Sequence, residues 1–341
     1  MQTRHYHEGK NEVKIYIMKI FWNTINYILL LVLLSFSCNT KTTDPNRPFP
    51  APGGYMNETF LKISYGLGIL DLIETEPEVP GEIMEIKGIE YKYIDSTSLQ
   101  LDIYRLKDLE EPAPVMIFVH GGAWRTGKRS DYLPYLLDYA KKGYVTATVS
   151  YRLVKQAVFP AAVQDVNCAV KYIKNHAGVY GIDPNKVVLI GGSAGGHLSL
   201  MIGYGGSEEL FNQDCPLDND SKVNAIIDLY GPTDLTTPYA ISTYQVQDFL
   251  KASYEENPGI YKMASPNTFI SSDDPPTLIF QGTIDSLVPV SQSDSLDSWL
   301  AKAGIPHEYH RLKGWPHTMD LSVKVNEYCQ FYIDRFLAKH L

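Results

Sequence analysis

Cysteine is scarce in this sequence. Four cysteines occur among 341 residues, and none lies in a C-x-x-C pair or beside closely spaced histidines. Because zinc sites are built from such clusters of thiolate and imidazole ligands, the pattern predicts no metal site. Cys168, Cys215 and Cys329 follow the N-terminal region. An exported chain can pair two of them, but sequence alone assigns no pairing, and the simplest interpretation is buried or idle thiols.

An excess of positive charge is also lacking. The chain carries 30 Lys and Arg against 39 Asp and Glu, a formal net charge of −9. Proteins that bind nucleic acid need a basic face, so we expect no nucleic-acid partner. The apolar run at residues 27–36 is about half the ~20 residues that a membrane-spanning helix requires. The oligomeric state is left open by these features.

The run at residues 27–36 nevertheless sets the N-terminus apart. A basic residue before it and small residues after it are typical of an export signal, which we place at residues 1–38. The letters LLSFSC resemble the lipobox of bacterial lipoproteins, which implies lipidation of Cys38. We expect an exported, membrane-anchored lipoprotein; the alternative is an ordinary signal on a periplasmic or secreted protein. Residues 39–54 are polar and rich in proline, as in a flexible tether, and residues 55–87 are interpreted as a wrapping or rim segment.

From residue 88 to residue 341 the sequence alternates between strand and helix patterns. PVMIFVH (residues 114–120) and KVVLIG (residues 186–191) are apolar runs of buried-strand length, and an amphipathic helix pattern lies between them. This alternation predicts an α/β domain whose mostly parallel sheet is covered by helices on both faces. Residues 231–265 interrupt the alternation and are interpreted as a small cap. Arg152 and Asp165 are interpreted as a structural ion pair.

The letters GGSAGG around Ser193 carry the chemistry. They contain G-x-S-x-G between a β-branched strand and a helix-forming stretch, which is the context that a nucleophilic serine on a tight turn requires. Small neighbours avoid collisions in the strained turn. The turn also lies beside a helix N-terminus, which favours negative charge. We therefore predict that Ser193 is a nucleophile; a Gly/Ser-rich loop without function is the alternative.

A second glycine-rich stretch, HGGAW, directly follows the PVMIFVH strand. Acyl transfer develops an oxyanion, and fixed backbone N–H donors stabilise it by ~3 kcal/mol each. We assign Gly122 or Ala123 as one donor and Ala194 as the other. Trp124 is a substitute donor and a candidate substrate-binding residue. His120 is expected to brace the loop.

The general base is expected to follow the last strand. His317 lies in a loop between that strand and the terminal helix, and Asp285 ends the preceding strand. The order Ser, Asp, His is the order of the α/β-hydrolase arrangement. Asp285 would hold the imidazole in the correct tautomer while His317 takes the serine proton. The other acids in this part of the chain, Asp273, Asp274, Asp294 and Asp320, are competitors for the role of Asp285.

Several blocks together resemble one group of enzymes. The blocks are HGGAW, SYRL (150–153), FPAAVQDV (159–166), YGIDPNKVVLIGGSAGGHLS (180–199) and DDPPTLIFQGTIDSLVPVSQS (273–293). They resemble α/β-hydrolase esterases related to bifunctional feruloyl and acetyl xylan esterases, and more distantly hormone-sensitive-lipase-type carboxylesterases. The resemblance implies an α/β-hydrolase fold with a cap insert and cofactor-free hydrolysis of small acyl esters. The implied partner is an ester or an acylated carbohydrate. Pro316 stands where many relatives have glycine.

Two other functions stay open at this point. The chain is also similar to the catalytic domain of prolyl oligopeptidases, which implies a serine peptidase. A non-catalytic binding lipoprotein on the same fold is the other alternative, although such proteins usually lose one of the three catalytic residues. The acyl group and the leaving group are not specified by the sequence.

Overall fold

The computed structural model describes residues 48–341. The predicted signal at residues 1–38, including Cys38, lies outside this range, as does most of the predicted tether. Residues 50–341 form one compact unit. Among the described residues, no helix combines the length and the apolar character needed to cross a membrane.

Eight strands form a single sheet in the order β1-β2-β4-β3-β5-β6-β7-β8. The pairs β1–β2 and β2–β4 are antiparallel, and all other pairs are parallel. The predicted mostly parallel α/β sheet is therefore confirmed. The strands are β1 (Ile83–Ile94), β2 (Thr97–Leu106), β3 (Ala113–Val119), β4 (Val145–Val149), β5 (Ile182–Gly192), β6 (Ala225–Leu229), β7 (Thr277–Gly282) and β8 (His307–Leu312).

Helices connect and cover these strands. They are α1 (Glu58–Gly66), α2 (Leu133–Lys141), α3 (Ala161–Asn175), α4 (Ala177–Tyr180), α5 (Ala194–Gly205), α6 (Pro238–Ser242), α7 (Tyr244–Leu250), α8 (Pro258–Met263), α9 (Ser291–Ala303) and α10 (Val323–His340). Short 3₁₀ turns precede α2, follow α5 and α8, and precede α10. The interruption at residues 231–265 thus contains three short helices, α6 to α8.

The central strand β3 shows why both faces of the sheet are covered. All but one of its seven residues are buried, and successive side chains point to opposite faces. Ile117 belongs to the same apolar cluster as Val163 and Val166 of α3. Phe118 points the other way and contacts Tyr135 of α2, with ring centroids 6.2 Å apart. A strand buried on both faces reads as a continuous apolar run, as observed in the sequence.

A buried group of charges ties β1 and the loop after β4 to α3. Asp165 accepts hydrogen bonds from Arg152 Nε at 2.8 Å and from Lys92 Nζ at 2.8 Å. Both carboxylate oxygens are used, because Arg152 Nη2 reaches Oδ1 at 2.9 Å. The structural interpretation of Arg152 and Asp165 is confirmed, and Lys92 is an additional partner.

The expectation of buried or idle thiols is wrong for two cysteines. Cys168 of α3 and Cys215 form a disulfide across 47 positions, with Cα atoms 5.5 Å apart. The segment that precedes Cys215 contacts α3, where Asn167 Nδ2 donates to the Phe211 carbonyl at 2.7 Å. This approach is a tertiary contact, so no local sequence pattern reports it. Cys329 is free and buried.

Candidate active site

Ser193 occupies the turn between β5 and α5. Its backbone has φ 57° and ψ −123°, a conformation that costs a non-glycine residue about 1–3 kcal/mol. Neighbouring elements hold it there: Ser193 N donates to the Leu229 carbonyl at 2.9 Å, and His197 N donates to the Ser193 carbonyl at 3.0 Å. The turn therefore presents the Ser193 side chain at the carboxyl edge of the parallel strands.

The glycines around Ser193 are required by close packing of main chain. A Cβ atom on Gly195 would overlap the Val119 carbonyl oxygen, and one on Gly191 would overlap the main chain of Gly195. A Cβ on Gly196 would overlap the carboxylate of Asp228. The glycines of GGSAGG are therefore explained by the close approach of helix α5 to β3 and β6, which leaves no room for side chains.

Asp285 and His317 meet at the same edge. His317 Nδ1 lies 2.6 Å from Asp285 Oδ2. Asp285 Oδ1 also accepts hydrogen bonds from the amides of Leu287 at 2.9 Å and Val288 at 2.8 Å, and its side chain is fully buried. A proton on Nδ1 satisfies the carboxylate and leaves the lone pair of Nε2 free to accept another proton. The predicted acid and base are brought together by the fold.

Three of the competing acids are engaged elsewhere. Asp273 and Asp274 accept hydrogen bonds from Ser271 in an exposed turn. Asp294 accepts a hydrogen bond from Arg311 at 3.0 Å. None of these contacts involves His317. The structure therefore favours Asp285 over these three competitors for the role beside the histidine.

The fourth competitor, Asp320, reaches the site through Tyr230. The hydroxyl of Tyr230 donates to the buried carboxylate of Asp320, and the Tyr230 ring lies 4.6 Å from the His317 ring. Burial raises the pKa of Asp320. No sequence motif singles out Tyr230. Its only local signal is its place at the end of β6, between the strands that carry Ser193 and Asp285.

The loop after β3 lies against the serine turn. A Cβ on Gly121 would lie 2.9 Å from the Gly192 carbonyl oxygen and 3.5 Å from Ser193 Cβ. Gly122, Ala123 and Trp124 have φ values of 104°, 53° and 58°, respectively. This run of left-handed residues turns the main chain sharply beside the serine. The assignment of the Gly122 or Ala123 amide, together with the Ala194 amide, as oxyanion donors stays a prediction.

The side chain of Trp124 packs into the protein. It is 3% exposed, stacks on Phe249 of α7 at 4.4 Å and donates through Nε1 to His197 Nδ1 at 3.3 Å. Its ring therefore joins the loop after β3 to the 231–265 insert. The burial of this ring gives no support to direct substrate contact by its side chain.

The other histidines near the site are buried and make structural contacts. His120 is buried and stacks on Tyr151 at 4.3 Å, which fits a bracing role. His197 Nε2 lies 2.8 Å from the Ala264 carbonyl oxygen, and burial lowers the pKa of His197 to about 4. An imidazole with such a low pKa is a poor acceptor for a hydroxyl proton near neutral pH.

The N-terminal part of the described chain lies along the loops of the candidate acid and base. Tyr55 N donates to the Gly314 carbonyl at 2.8 Å, and Trp315 Nε1 donates to the Pro52 carbonyl at 3.0 Å. Glu58 of α1 accepts a hydrogen bond from Ser286, next to Asp285, at 2.6 Å. These contacts lie in the regions predicted as the end of the tether and as the rim segment.

Comparisons with known proteins agree with this architecture. The BD-FAE family model matches residues 101–300. Esterase LipC of Mycobacterium tuberculosis is 30% identical over 73% of this chain and 64% of its own length. The probable carboxylic ester hydrolase LipM of the same organism is 32% identical over 70% of this chain and 58% of its own length. The chain thus spans less than two thirds of the length of these curated relatives.

Solved structures agree as well. Esterase 2 of Thermogutta terrifontis, with butyrate bound, superposes with a TM-score of 0.65 at 27% identity, covering 77% of this chain and 95% of that one. The same esterase phosphonylated by cyclosarin gives a TM-score of 0.64 at 26% identity, covering 77% and 96%. The chain belongs to the BD-FAE family, of the feruloyl and acetyl esterase type, with the α/β-hydrolase fold.

Proposed function

We propose that this protein is a serine carboxylesterase that hydrolyses small acyl esters through an acyl-enzyme. The observation that carries the proposal is the 2.6 Å contact between His317 Nδ1 and Asp285 Oδ2. It lies at the sheet edge where the strained backbone of Ser193 presents a hydroxyl. An oriented base, its acid and a nucleophile on a tight turn are the parts that acyl transfer requires.

The chemistry runs in two halves. His317 Nε2 takes the hydroxyl proton as Ser193 Oγ bonds to the acyl carbon, and the carbonyl oxygen becomes an oxyanion that accepts hydrogen bonds from backbone amides. The intermediate collapses, and the alcohol leaves with the proton that His317 returns. A water molecule, deprotonated by the same imidazole, then attacks the acyl-enzyme and releases the acid. Asp285 stabilises the imidazolium in both halves.

A small acyl group is the second part of the proposal. The Thermogutta esterase 2 is described with butyrate and with propionate bound, which are short carboxylates. The feruloyl and acetyl type of the family adds an aromatic acyl group and a carbohydrate alcohol as candidates. A panel of acetyl, butyryl and feruloyl esters, each of a simple alcohol and of a sugar, would separate these choices by their kcat/KM values.

The nucleophile is tested with p-nitrophenyl acetate. Ser193→Ala is expected to lose roughly 10⁴-fold or more in kcat, as removal of a nucleophilic serine does elsewhere. Ser199→Ala is the matched control, because Ser199 is a buried serine of the following helix α5, and its hydroxyl donates to the Gly195 carbonyl. Full activity in Ser193→Ala would refute the serine mechanism.

A fluorophosphonate probe gives an independent result, since the Thermogutta esterase is described as phosphonylated. Mass mapping should place the label on Ser193. A wild-type chain that takes no label and cleaves no ester would favour a binding lipoprotein. Release of amine from a proline-containing peptide, without ester cleavage, would favour a peptidase.

We further propose that the protein is exported and anchored by a lipid at Cys38. The Cys168–Cys215 disulfide supports export, because such bonds persist in oxidising compartments. In a bacterial host, wild type and a Cys329→Ser control should incorporate labelled fatty acid and sediment with membranes, whereas Cys38→Ser should do neither. Equal labelling of Cys38→Ser and wild type would refute the anchor.

A further inference from the structure

Helix α1 has an apolar stripe that the described protein does not cover. Asn57 caps the helix by accepting hydrogen bonds from the amides of Thr59 and Phe60, yet none of its nine residues is buried. A helix of this length is marginal in water without tertiary packing. Its apolar face therefore needs a contact surface to be stable.

The exposed residues recur at helical spacing. Phe60 and Ile63 of α1 and its C-cap Leu67 follow the i, i+3, i+7 pattern of one face and are 49%, 51% and 69% exposed. Met56, which directly precedes the N-cap Asn57, is 79% exposed. Leu72, further along the same segment, is also exposed. Single exposed apolar residues are ordinary, but several exposed apolar residues close together in one segment are typical of a binding or membrane surface.

We propose that the stripe formed by Met56, Phe60, Ile63 and Leu67 docks into a lipid bilayer surface. The proposal rests on the proposed anchor at Cys38, which precedes Asn57 by 19 positions. A stretch of that length reaches up to about 65 Å when extended, so a lipid at Cys38 and helix α1 can enter the same bilayer. An interfacial helix adds the second signal that stabilises attachment by a lipid.

Charge on the helix argues for a neutral bilayer as the occupant. Glu58 and Lys62 pair with each other at 3.4 Å on the polar side of α1. The helix therefore offers no excess of positive charge to anionic lipids, and insertion depends on the apolar side chains. Because Glu58 also contacts Ser286 beside Asp285, docking places the catalytic edge close to the membrane surface.

A fluorescence experiment on the full chain tests this surface. An environment-sensitive fluorophore is attached to Ile63→Cys in a Cys38→Ser background, and phosphatidylcholine vesicles are added. We expect a blue shift and an intensity rise of about twofold or more, because the probe enters an apolar layer. The control is a probe on Val179→Cys, an apolar position on α4 that is more exposed than Ile63 (71% against 51%), and it should not respond. Matching thermal unfolding curves establish that both labelled chains are folded.

Three results would overturn the proposal. The first is no vesicle response at position 63. The second is a blue shift without vesicles that grows with protein concentration, which indicates a second copy of the chain. The third is a concentration-independent shift without vesicles, which indicates that another part of the same chain covers the stripe. Repeating the measurement in a Ser193→Ala background distinguishes a failure of docking from a failure of the proposed function, because docking needs no ester chemistry.

A second inference concerns Tyr230. A Cβ on Gly192, the residue before Ser193, would lie 3.0 Å from the hydroxyl oxygen of Tyr230, whose ring also lies 4.6 Å from the ring of His317. Tyr230 thus touches both the serine turn and the histidine. Its backbone φ of 50° is held by a hydrogen bond from its amide to the Phe280 carbonyl.

The geometry points to Tyr230 as a positioning residue for His317, held in place by Asp320. The hydroxyl of Tyr230 donates to the carboxylate of Asp320, which is 2% exposed. This bond fixes the ring, and the ring in turn limits rotation of the imidazole away from Ser193. The inference rests on the proposed serine mechanism.

Steady-state kinetics test the role of Tyr230. Tyr230→Phe keeps the ring but loses the bond to Asp320, so we expect kcat to fall roughly tenfold while KM stays within about twofold, because misplaced catalytic groups affect the chemical step. Tyr204→Phe is the control, since the buried Tyr204 hydroxyl pairs with Thr277 at 2.8 Å instead. Asp320→Asn keeps an acceptor oxygen for the Tyr230 hydroxyl, so its loss of kcat should be smaller than that of Tyr230→Phe.

Two results would overturn this assignment in an active wild type. One is an unchanged kcat in Tyr230→Phe. The other is a loss in Asp320→Asn as large as that in Tyr230→Phe. Inactivity of the wild type would instead refute the proposed function.

Discussion

The carboxyl edge of the sheet and the N-terminal segment that lies along it are built in opposite ways. At the edge, Asp285 is buried with hydrogen bonds to both carboxylate oxygens, and Ser193 is held in a strained conformation by main-chain bonds. Helix α1 buries no residue and is attached through a few contacts such as Glu58–Ser286. Strain persists only where surrounding contacts over-determine the backbone, so the first region suits chemistry and the second suits binding.

Substitutions should have different consequences in the two regions. A group at the edge has several partners, so its replacement leaves buried polar atoms unsatisfied or misplaces a neighbour. A group on α1 has few partners within the described chain, so its replacement should change attachment to other molecules. The following variants test this contrast.

Asp285→Asn should give the largest effect. The amide can donate to His317 Nδ1 and stabilise the wrong tautomer, so we expect kcat for p-nitrophenyl acetate to fall about 10⁴-fold. Asp294→Asn is the control, because Asp294 pairs with Arg311 away from the histidine. A loss below about tenfold in Asp285→Asn would mean that the contact observed at 2.6 Å does not orient the base.

Gly192→Ala tests whether the edge tolerates any added volume. The new Cβ would overlap the Tyr132 hydroxyl and approach Tyr230, which displaces the ring beside His317. We expect kcat to fall roughly 100-fold, with a lower melting temperature. Gly178→Ala has open space around its Cβ and should behave as wild type. Equal kcat values in both variants would show that the edge accommodates an added methyl group.

Asp228→Asn tests whether the buried carboxyl group of Asp228 destabilises the folded protein. Burial raises the pKa of Asp228 from its ordinary value of 3.8 to about 8. The folded state thus retains a proton that the unfolded state loses as pH rises through this window, and stability declines with pH. Asparagine cannot lose that proton, so we expect a gain of about 1–3 kcal/mol in the free energy of unfolding at pH 8.

The pH profile of this gain supplies the control. The advantage of Asp228→Asn should shrink toward pH 4, and Asp218→Asn, at an exposed loop position, should show no such trend in thermal unfolding. A destabilised Asp228→Asn at pH 8 would mean that the carboxylate is needed in its charged form.

Tyr55→Ala should give the smallest effect. It removes an edge-on ring contact with Trp315 at 5.5 Å, worth about 1 kcal/mol, while the backbone bond to Gly314 remains. We expect a melting temperature lower by a few degrees and kcat within about threefold of wild type. A tenfold loss of kcat would instead place this segment in the catalytic edge.

Much of the fold was accessible from local patterns. The continuous apolar run of β3 predicts a strand buried on both faces, and the GGSAGG letters predict a strand-to-helix turn. The choice of Asp285 and His317 as partners also follows from their places after β7 and β8. By contrast, the Cys168–Cys215 pairing was missed, because it depends on contacts between α3 and a loop 47 positions away.

Tyr230 and Asp320 show the same limit at the candidate site. They are separated by 90 positions, and neither lies in a recognisable motif. Trp124 sits in a motif, yet only tertiary packing places its ring under α7. Side-chain partners of this kind depend on how helices and loops pack, which local propensity does not specify.

The alternation of strands and helices and the turn that carries Ser193 follow from local sequence, because both depend on residues close together in the chain. The tertiary structure alone decided that Asp285 and His317 meet at 2.6 Å, that Tyr230 lies between the serine turn and Asp320, and that α1 keeps its apolar stripe exposed. These contacts join residues far apart in sequence, and their existence is settled only when the whole sheet and its covering helices are packed.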